Sequence, residues 1–167
     1  IDELYSRLAS DADEKILEIT EDLDSEGIAK WLAETYRKVS KADLAIVNSG
    51  ATKQNFQKGP VTLEQLYISI PYNNALRGFD VSKKQLEKGL CEAAKRNREE
   101  VADNGSDLVL SSGKLVDVGT PNCRLEGLKA QLKVVMDDFL LKNYGRWLGQ
   151  DYMPISFSFG MNTEQVM

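Results

Sequence analysis

Apolar positions recur at helical spacing twice in the first forty residues. Ile1, Leu4, Tyr5, Leu8, Ala9 and Ala12 share one face over Ile1–Lys15, which predicts an amphipathic lead-in helix. Ile16–Thr20 alternates instead, with Leu17 and Ile19 against Ile16 and Glu18, and reads as a short strand. Asp24 or Ser25 then caps a second helix, whose stripe is Ile28, Trp31, Leu32, Thr35, Tyr36 and Val39. Leu44-Ala45-Ile46-Val47 is apolar without alternation, the pattern of a strand buried on both faces. It runs into Asn48-Ser49-Gly50-Ala51, a polar, small-residue turn.

Gly59-Pro60 punctuates the next loop. Thr62-Leu63-Glu64-Gln65 has the form of a capping box and should open a short helix. Ala75–Val81 reads as a strand. Ser82-Lys83-Lys84-Gln85 is a second capping box, opening a helix to about Arg96 with Leu86, Leu90, Ala93 and Ala94 inward. Asp107–Ser111 and Lys114–Val118 flank Ser112-Gly113, which predicts a hairpin. Gln131–Met136 and Ile155–Phe159 are further strand candidates. No repeat, low-complexity tract or internal linker interrupts the chain. Helices and strands mix without strict alternation, so the expectation is an α+β fold: one domain over 16–167 with a mixed β-sheet flanked by helices, preceded by the lead-in helix over 1–15.

Composition narrows the function. The 167 residues suffice for one core. A net charge of −5 and a pI near 4.9 argue against a general nucleic-acid binder, whose affinity comes from a basic face. A small anion is still accessible to one or two placed cations and a few backbone N–H groups. No apolar run approaches the roughly 20 residues that span a bilayer. The acidic, amphipathic opening is unlike a signal peptide, and the start at Ile1 leads us to expect a processed or truncated product. Cys91 and Cys123 are too few for a disulfide framework and lie in no metal-type spacing; whether they pair stays open. The chain has no histidine. Zinc and dinuclear hydrolase sites lean on imidazole ligands, and Ser or Cys nucleophiles usually need a His base. The expectation is therefore a binding or partner-dependent role, with no catalytic residue, metal site or cofactor in this chain.

Several motifs in order carry a family resemblance. Ala42-Asp43-Leu44-Ala45-Ile46-Val47-Asn48-Ser49-Gly50, then Gly59-Pro60-Val61-Thr62 and Ile70-Pro71-Tyr72-Asn73-Asn74, resemble the 5′-nucleotidase C-terminal domain. Phe79–Leu86 looks like that family's strand-to-helix step, Leu110-Ser111-Ser112-Gly113 like its Val-Ser-Gly strand, and Lys133–Leu140 like its Asn-Asp-Phe-Leu stretch. The matches cover about residues 16–145.

The resemblance implies the substrate-gripping half of a two-domain phosphohydrolase. A metallophosphoesterase domain, in cis or as a separate subunit, would supply divalent metals and the nucleophilic water. This chain would hold a nucleotide or nucleoside and present its phosphate. Tyr72 and Phe139 fall at the positions of the two rings that sandwich the base. Asn74 matches the polar residue beside the first ring, and Asn48 an asparagine that contacts the base or orders the loop. Gly50 belongs to the glycine-rich run, and Lys53 stands where the family has Arg at the phosphate. Family members are mostly exported, implying periplasm or cell surface. Three departures pull the other way. Ser49-Gly50-Ala51 shortens the glycine run, and Thr20-Glu21-Asp22-Leu23 replaces an Arg-containing stretch. Asn143-Tyr144-Gly145 replaces Gly-Gly-Asp, leaving Asn143 as the candidate ribose partner. They support an alternative: a non-catalytic interaction protein that kept the fold and lost the pocket.

Overall fold

The computed structural model describes residues 12–72, 74–99, 108–143 and 157–162. The lead-in helix falls mostly on residues 1–11, outside the described residues, as do Asp107, Ile155 and Ser156 of the expected strands. What is described begins with strand β1, Lys15–Ile19, one residue earlier than its alternation suggests. Helix α1, Ser25–Ser40, follows; the Asp24 carboxylate accepts the Gly27 N–H at 2.8 Å and so caps its first turn. Its stripe buries Ile28, Ala29, Leu32, Ala33 and Tyr36, whereas Val39 near the C-terminus faces solvent.

Five strands form the central sheet: β2 (Leu44–Asn48), β4 (Ala75–Ser82), β5 (Leu108–Leu110), β8 (Gln131–Asp137) and β9 (Phe157–Asn162). Their order across it is β5-β2-β8-β4-β9. β2 and β8 run parallel, with Leu44 opposite Val134, and every other pairing is antiparallel. The α+β, mixed-sheet expectation holds.

Every residue of β2 is buried, as its unbroken apolar run requires. Ala45 and Val47 face α1 and join Ile28, Leu32, Tyr36 and Val135 in one core. Leu44 and Ile46 face the other way, joining Phe79, Val81, Leu86, Leu90, Val134 and Met136. Leu86 and Leu90 belong to a long helix over Lys83–Glu99. The sheet thus separates two cores with a helix over each.

Both capping boxes form. Thr62 Oγ1 accepts the Gln65 N–H while Gln65 Oε1 accepts the Thr62 N–H, opening helix α2, Leu63–Ser69. Ser82 and Gln85 do the same at the Lys83–Glu99 helix, α3, which runs three residues beyond the expected Arg96. The hairpin expected across Ser112-Gly113 does not form. β5 pairs with β2 in the main sheet, and β6 (Lys114–Val116) turns away to pair with β7 (Arg124–Glu126), a strand too short for its pattern to show. Leu108, Val109 and Leu110 gain more by extending the buried sheet than by closing a local turn. Gly59-Pro60, read as loop, belongs to strand β3, Gly59–Thr62, paired with β1. Pro60 is tolerated because this two-stranded sheet leaves each strand one unpaired side. Cys91 and Cys123 form a disulfide, their Cα atoms 6.0 Å apart, tying α3 to the segment before β7.

Candidate functional site

The parallel pair β2 and β8 puts both C-terminal ends at one edge of the sheet. β4 is antiparallel to β8 and starts there, with Leu76 opposite Asp137. Three chain segments therefore converge: Asn48 with the 3₁₀ turn Ser49–Ala51, the loop before β4, and Asp137 with the short helix α4, Asp138–Lys142. This is the strand-end edge where open sheets carrying parallel strands usually receive ligands.

Asn48 is 7% exposed and forms no side-chain cap on the turn that follows it. Its amide has no hydrogen-bond partner among the described residues. The side chain thus has a donor and an acceptor available to a ligand or water. Gly50 is exposed in the 3₁₀ turn, and its backbone lies outside the left-handed region. The wider turn is held by Thr52, whose hydroxyl donates to the Ser49 and Ser25 carbonyls at 3.3 and 3.4 Å.

Lys53 follows at once, and its N–H donates to the Ser69 carbonyl at 2.7 Å, joining this turn to the end of α2. Its ammonium stands 5.4 Å from the centroid of the Tyr72 ring. A cation at that distance over a phenol face is attracted by the ring quadrupole, about 0.5–1 kcal/mol at an exposed site. Ile70, two residues before Tyr72, is 2% exposed and anchors the loop in the core. Tyr72 itself is 40% exposed.

Phe139 is 49% exposed although it is the second residue of a helix whose next residue, Leu140, is 1% exposed. Core packing thus absorbs Leu140 and leaves the Phe139 ring outward. Asp137 connects this helix to the Tyr72 loop. Its Oδ1 accepts the Leu140 N–H at 2.7 Å and its Oδ2 accepts from Asn74 Nδ2 at 3.2 Å. Burial pushes its carboxyl above the usual range, opposed by the Leu140 N–H and the Asn74 amide; neighbouring Asp138 adds to the rise. Asn143 does not reach outward: its amide donates to the Phe139 carbonyl at 2.8 Å and closes the end of α4.

The fold accordingly brings Asn48, Gly50, Lys53, Tyr72, Asn74 and Phe139 to one edge. Sequence reasoning misses Asp137 as a site residue. Its one signal is an aspartate preceding Asp138-Phe139-Leu140-Leu141, an N-cap pattern too short to stand out. These six residues offer two exposed rings, two amides and one cation. Among the described residues no group of three or more His, Cys, Asp or Glu is placed to hold a metal. A groove of about 860 Å³ lies between the first turn of α1 and β5–β6 and reaches the edge at Ser49; Ser25, Lys30, Leu110 and Lys114 are among its lining residues.

The model of the 5′-nucleotidase C-terminal domain matches residues 10–119, a span that holds Asn48, Gly50, Lys53, Tyr72 and Asn74 and ends before Asp137, Phe139 and Asn143. No curated protein matches the chain. Solved structures share its fold. A 5′-nucleotidase precursor from Thermus thermophilus superposes with a TM-score of 0.70 at 16% identity, over 99% of this chain and 38% of that one. An NAD nucleotidase from Haemophilus influenzae gives 0.71 at 17% identity, over 99% and 36%. A sulfate thiohydrolase from Thermus thermophilus, solved with glycerol, gives 0.60 at 12% identity, over 98% and 33%. The chain spans under two-fifths of the length of each of these proteins.

Proposed function

This chain belongs to the 5′-nucleotidase C-terminal domain family, and from that premise we propose that it is the nucleotide-recognition part of a 5′-nucleotidase-like phosphohydrolase. Its base-binding surface is the space between Tyr72 and Phe139. The observation that carries this reading is that two large rings stay 40% and 49% exposed at the same sheet edge, where burial would otherwise be favoured. Stacking on such rings suits any nucleobase, because each has a π-face. Asn48 and Asn74 supply donors and acceptors for base or ribose, beside the backbone of Gly50. Lys53 supplies the cation for the phosphate.

The reacting centre belongs to a metallophosphoesterase domain, in cis or as a separate subunit, which brings the divalent metals. The absence of histidine from the sequence supports that division of labour. The Cys91–Cys123 disulfide supports an oxidising compartment, in keeping with export to periplasm or cell surface. Substrate class rests on the edge residues rather than the fold, since the same architecture occurs in a sulfate thiohydrolase.

The test is an NMR titration of the chain with adenosine and AMP. Binding is expected in the high micromolar to millimolar range, about −4 to −5 kcal/mol, because half of the contacts sit on another domain. Tyr72→Ala and Phe139→Ala should each lose about 1–3 kcal/mol for both ligands. Lys53→Ala should weaken AMP more than adenosine, with a smaller common loss from the vacated Tyr72 face. If saturating ligand leaves Asn48, Tyr72, Asn74 and Phe139 unmoved, the interaction-protein reading replaces this one. The Asn143 amide, turned onto its own helix, is the observation that favours that second reading.

A further inference from the structure

Asp137 is the only carboxylate in the buried class among the described residues, at 6% exposure. It stands where the β4–β8 ladder ends. Beyond the Leu76–Asp137 pair no ladder bond joins the two strands, yet the chain still has to place Tyr72 on one side and Phe139 on the other. The Asp137 side chain is the link that continues past the ladder. One oxygen holds the first turn of α4, which carries Phe139; the other holds Asn74, two residues after Tyr72.

A helix cap alone does not require a carboxylate here. Serine or asparagine caps as well, and neither suffers the cost of burying a charge, a cost that shows in the raised pKa of Asp137. What a neutral cap lacks is the second acceptor. Serine has one oxygen, and asparagine would turn an NH₂ against the NH₂ of Asn74. A carboxylate is planar and rigid, so two acceptors on it fix the relative position of the two segments that use them.

That position matters to a sandwiched base. Dispersion between stacked faces falls steeply with separation, and an extra gap of roughly 0.5–1 Å forfeits a quarter to a half of it. We propose that Asp137 is a positioning residue for base recognition: by accepting from Leu140 and Asn74 at once, it sets the spacing between the Tyr72 and Phe139 rings. The inference rests on the stacking reading given above and adds to it the element that tunes the gap.

The test uses the whole chain and adenosine as the probe, with affinity read by NMR titration. Asp137→Asn keeps an oxygen for the Leu140 N–H and opposes two NH₂ groups at Asn74. It should fold and bind adenosine about five- to tenfold more weakly, the loss expected when one hydrogen bond goes. The exchanged pair, Asn74→Asp with Asp137→Asn, restores one donor facing one acceptor. It should bind adenosine more tightly than Asn74→Asp alone, which a role confined to capping α4 would not produce. Should Asp137→Asn fail to fold, Asn74→Asp alone serves. It sets two carboxylates against each other and should bind more weakly than the exchanged pair; equal or tighter binding overturns the proposal.

Unchanged affinity in Asp137→Asn, with Tyr72→Ala and Phe139→Ala both weakened, overturns the positioning role and leaves the stacking reading intact. An exchanged pair that binds no more tightly than Asn74→Asp alone also overturns it. Absence of adenosine binding by the unmodified chain removes the stacking reading, and the positioning role with it.

Discussion

Asp43 and Asp137 flank the same sheet and are driven in opposite directions. Asp43 precedes β2, where its Oδ1 meets the Lys129 ammonium at 2.8 Å and its Oδ2 accepts the Lys133 N–H at 2.8 Å. The Lys129 bond, helped by the Lys133 N–H and both lysine charges, holds its carboxyl below the usual range against a smaller opposing effect of burial. Its folded pKa is lowered, so its contribution to stability is present above the unfolded value near 3.8 and is lost as pH falls through the folded value. Urea unfolding at a series of pH values should therefore show the wild type ahead of Asp43→Asn at neutral pH, with the difference shrinking below that value. A constant difference would mean that the ion pair contributes nothing, the common result for exposed pairs. Asp137 runs the other way. Its raised pKa favours the protonated folded form, so its contribution is greatest in acid and is lost as pH rises through the folded value. For single residues the sequence shows which chemical types are available. Asn48 can be placed at a strand end, but the missing partner of its amide depends on what the fold packs around it.

Element ends are the most legible features. Asp24, the Thr62/Gln65 box and the Ser82/Gln85 box each start a helix where the sequence puts them, because capping is settled within four residues. The helix stop at α1 is less legible. Lys41 ends it in the left-handed region, φ 52°, where glycine is usual, while its N–H donates to the Arg37 and Lys38 carbonyls. Lys41→Gly should raise stability by about 0.5–1 kcal/mol. This is the left-handed cost removed, less the extra freedom glycine has when unfolded. Thermal unfolding checks it, and a lower midpoint would show that the lysine stem contributes more than its backbone costs. The hairpin across Ser112-Gly113 marks where local reasoning fails. A turn signal joins two short apolar runs, but each finds its partner elsewhere, β5 on β2 and β6 on β7. Short strands carry too little pattern to specify a partner, and a buried neighbour outweighs a nearby one.

Across the molecule, the α3-side core has fastenings beyond its packing. The β6–β7 pair covers part of the α3-side core, contributing Leu115 and Leu125, and is held to α3 at two points. One is the Cys91–Cys123 bridge, 32 residues apart in sequence; the other is the Glu87 carboxylate accepting the Leu125 N–H at 2.7 Å. Closing a loop of that size restricts the unfolded chain, worth about 2–4 kcal/mol. Replacing both Cys91 and Cys123 with alanine should lower stability in urea by that amount. Reductant should lower the wild type similarly and leave the double variant unchanged. If neither change moves the midpoint, the Glu87 contact and the packing of Leu125 suffice to hold the strands.

The class of fold, both capping boxes, the doubly buried β2 and, through ordered motifs, the family can all be read along the chain. They follow from local chemistry and from periodicity, which a linear sequence displays in full. Folding in three dimensions settles the rest. It pairs the cysteines, sends β5 to the main sheet, and runs β2 parallel to β8 so that residues 48, 72, 74, 137 and 139 reach one edge. It also joins Asn74 to Asp137, 63 positions away, and leaves Tyr72 and Phe139 uncovered. Contacts at such separations depend on which faces can be buried together, a property of the packed whole that no window of neighbouring residues contains.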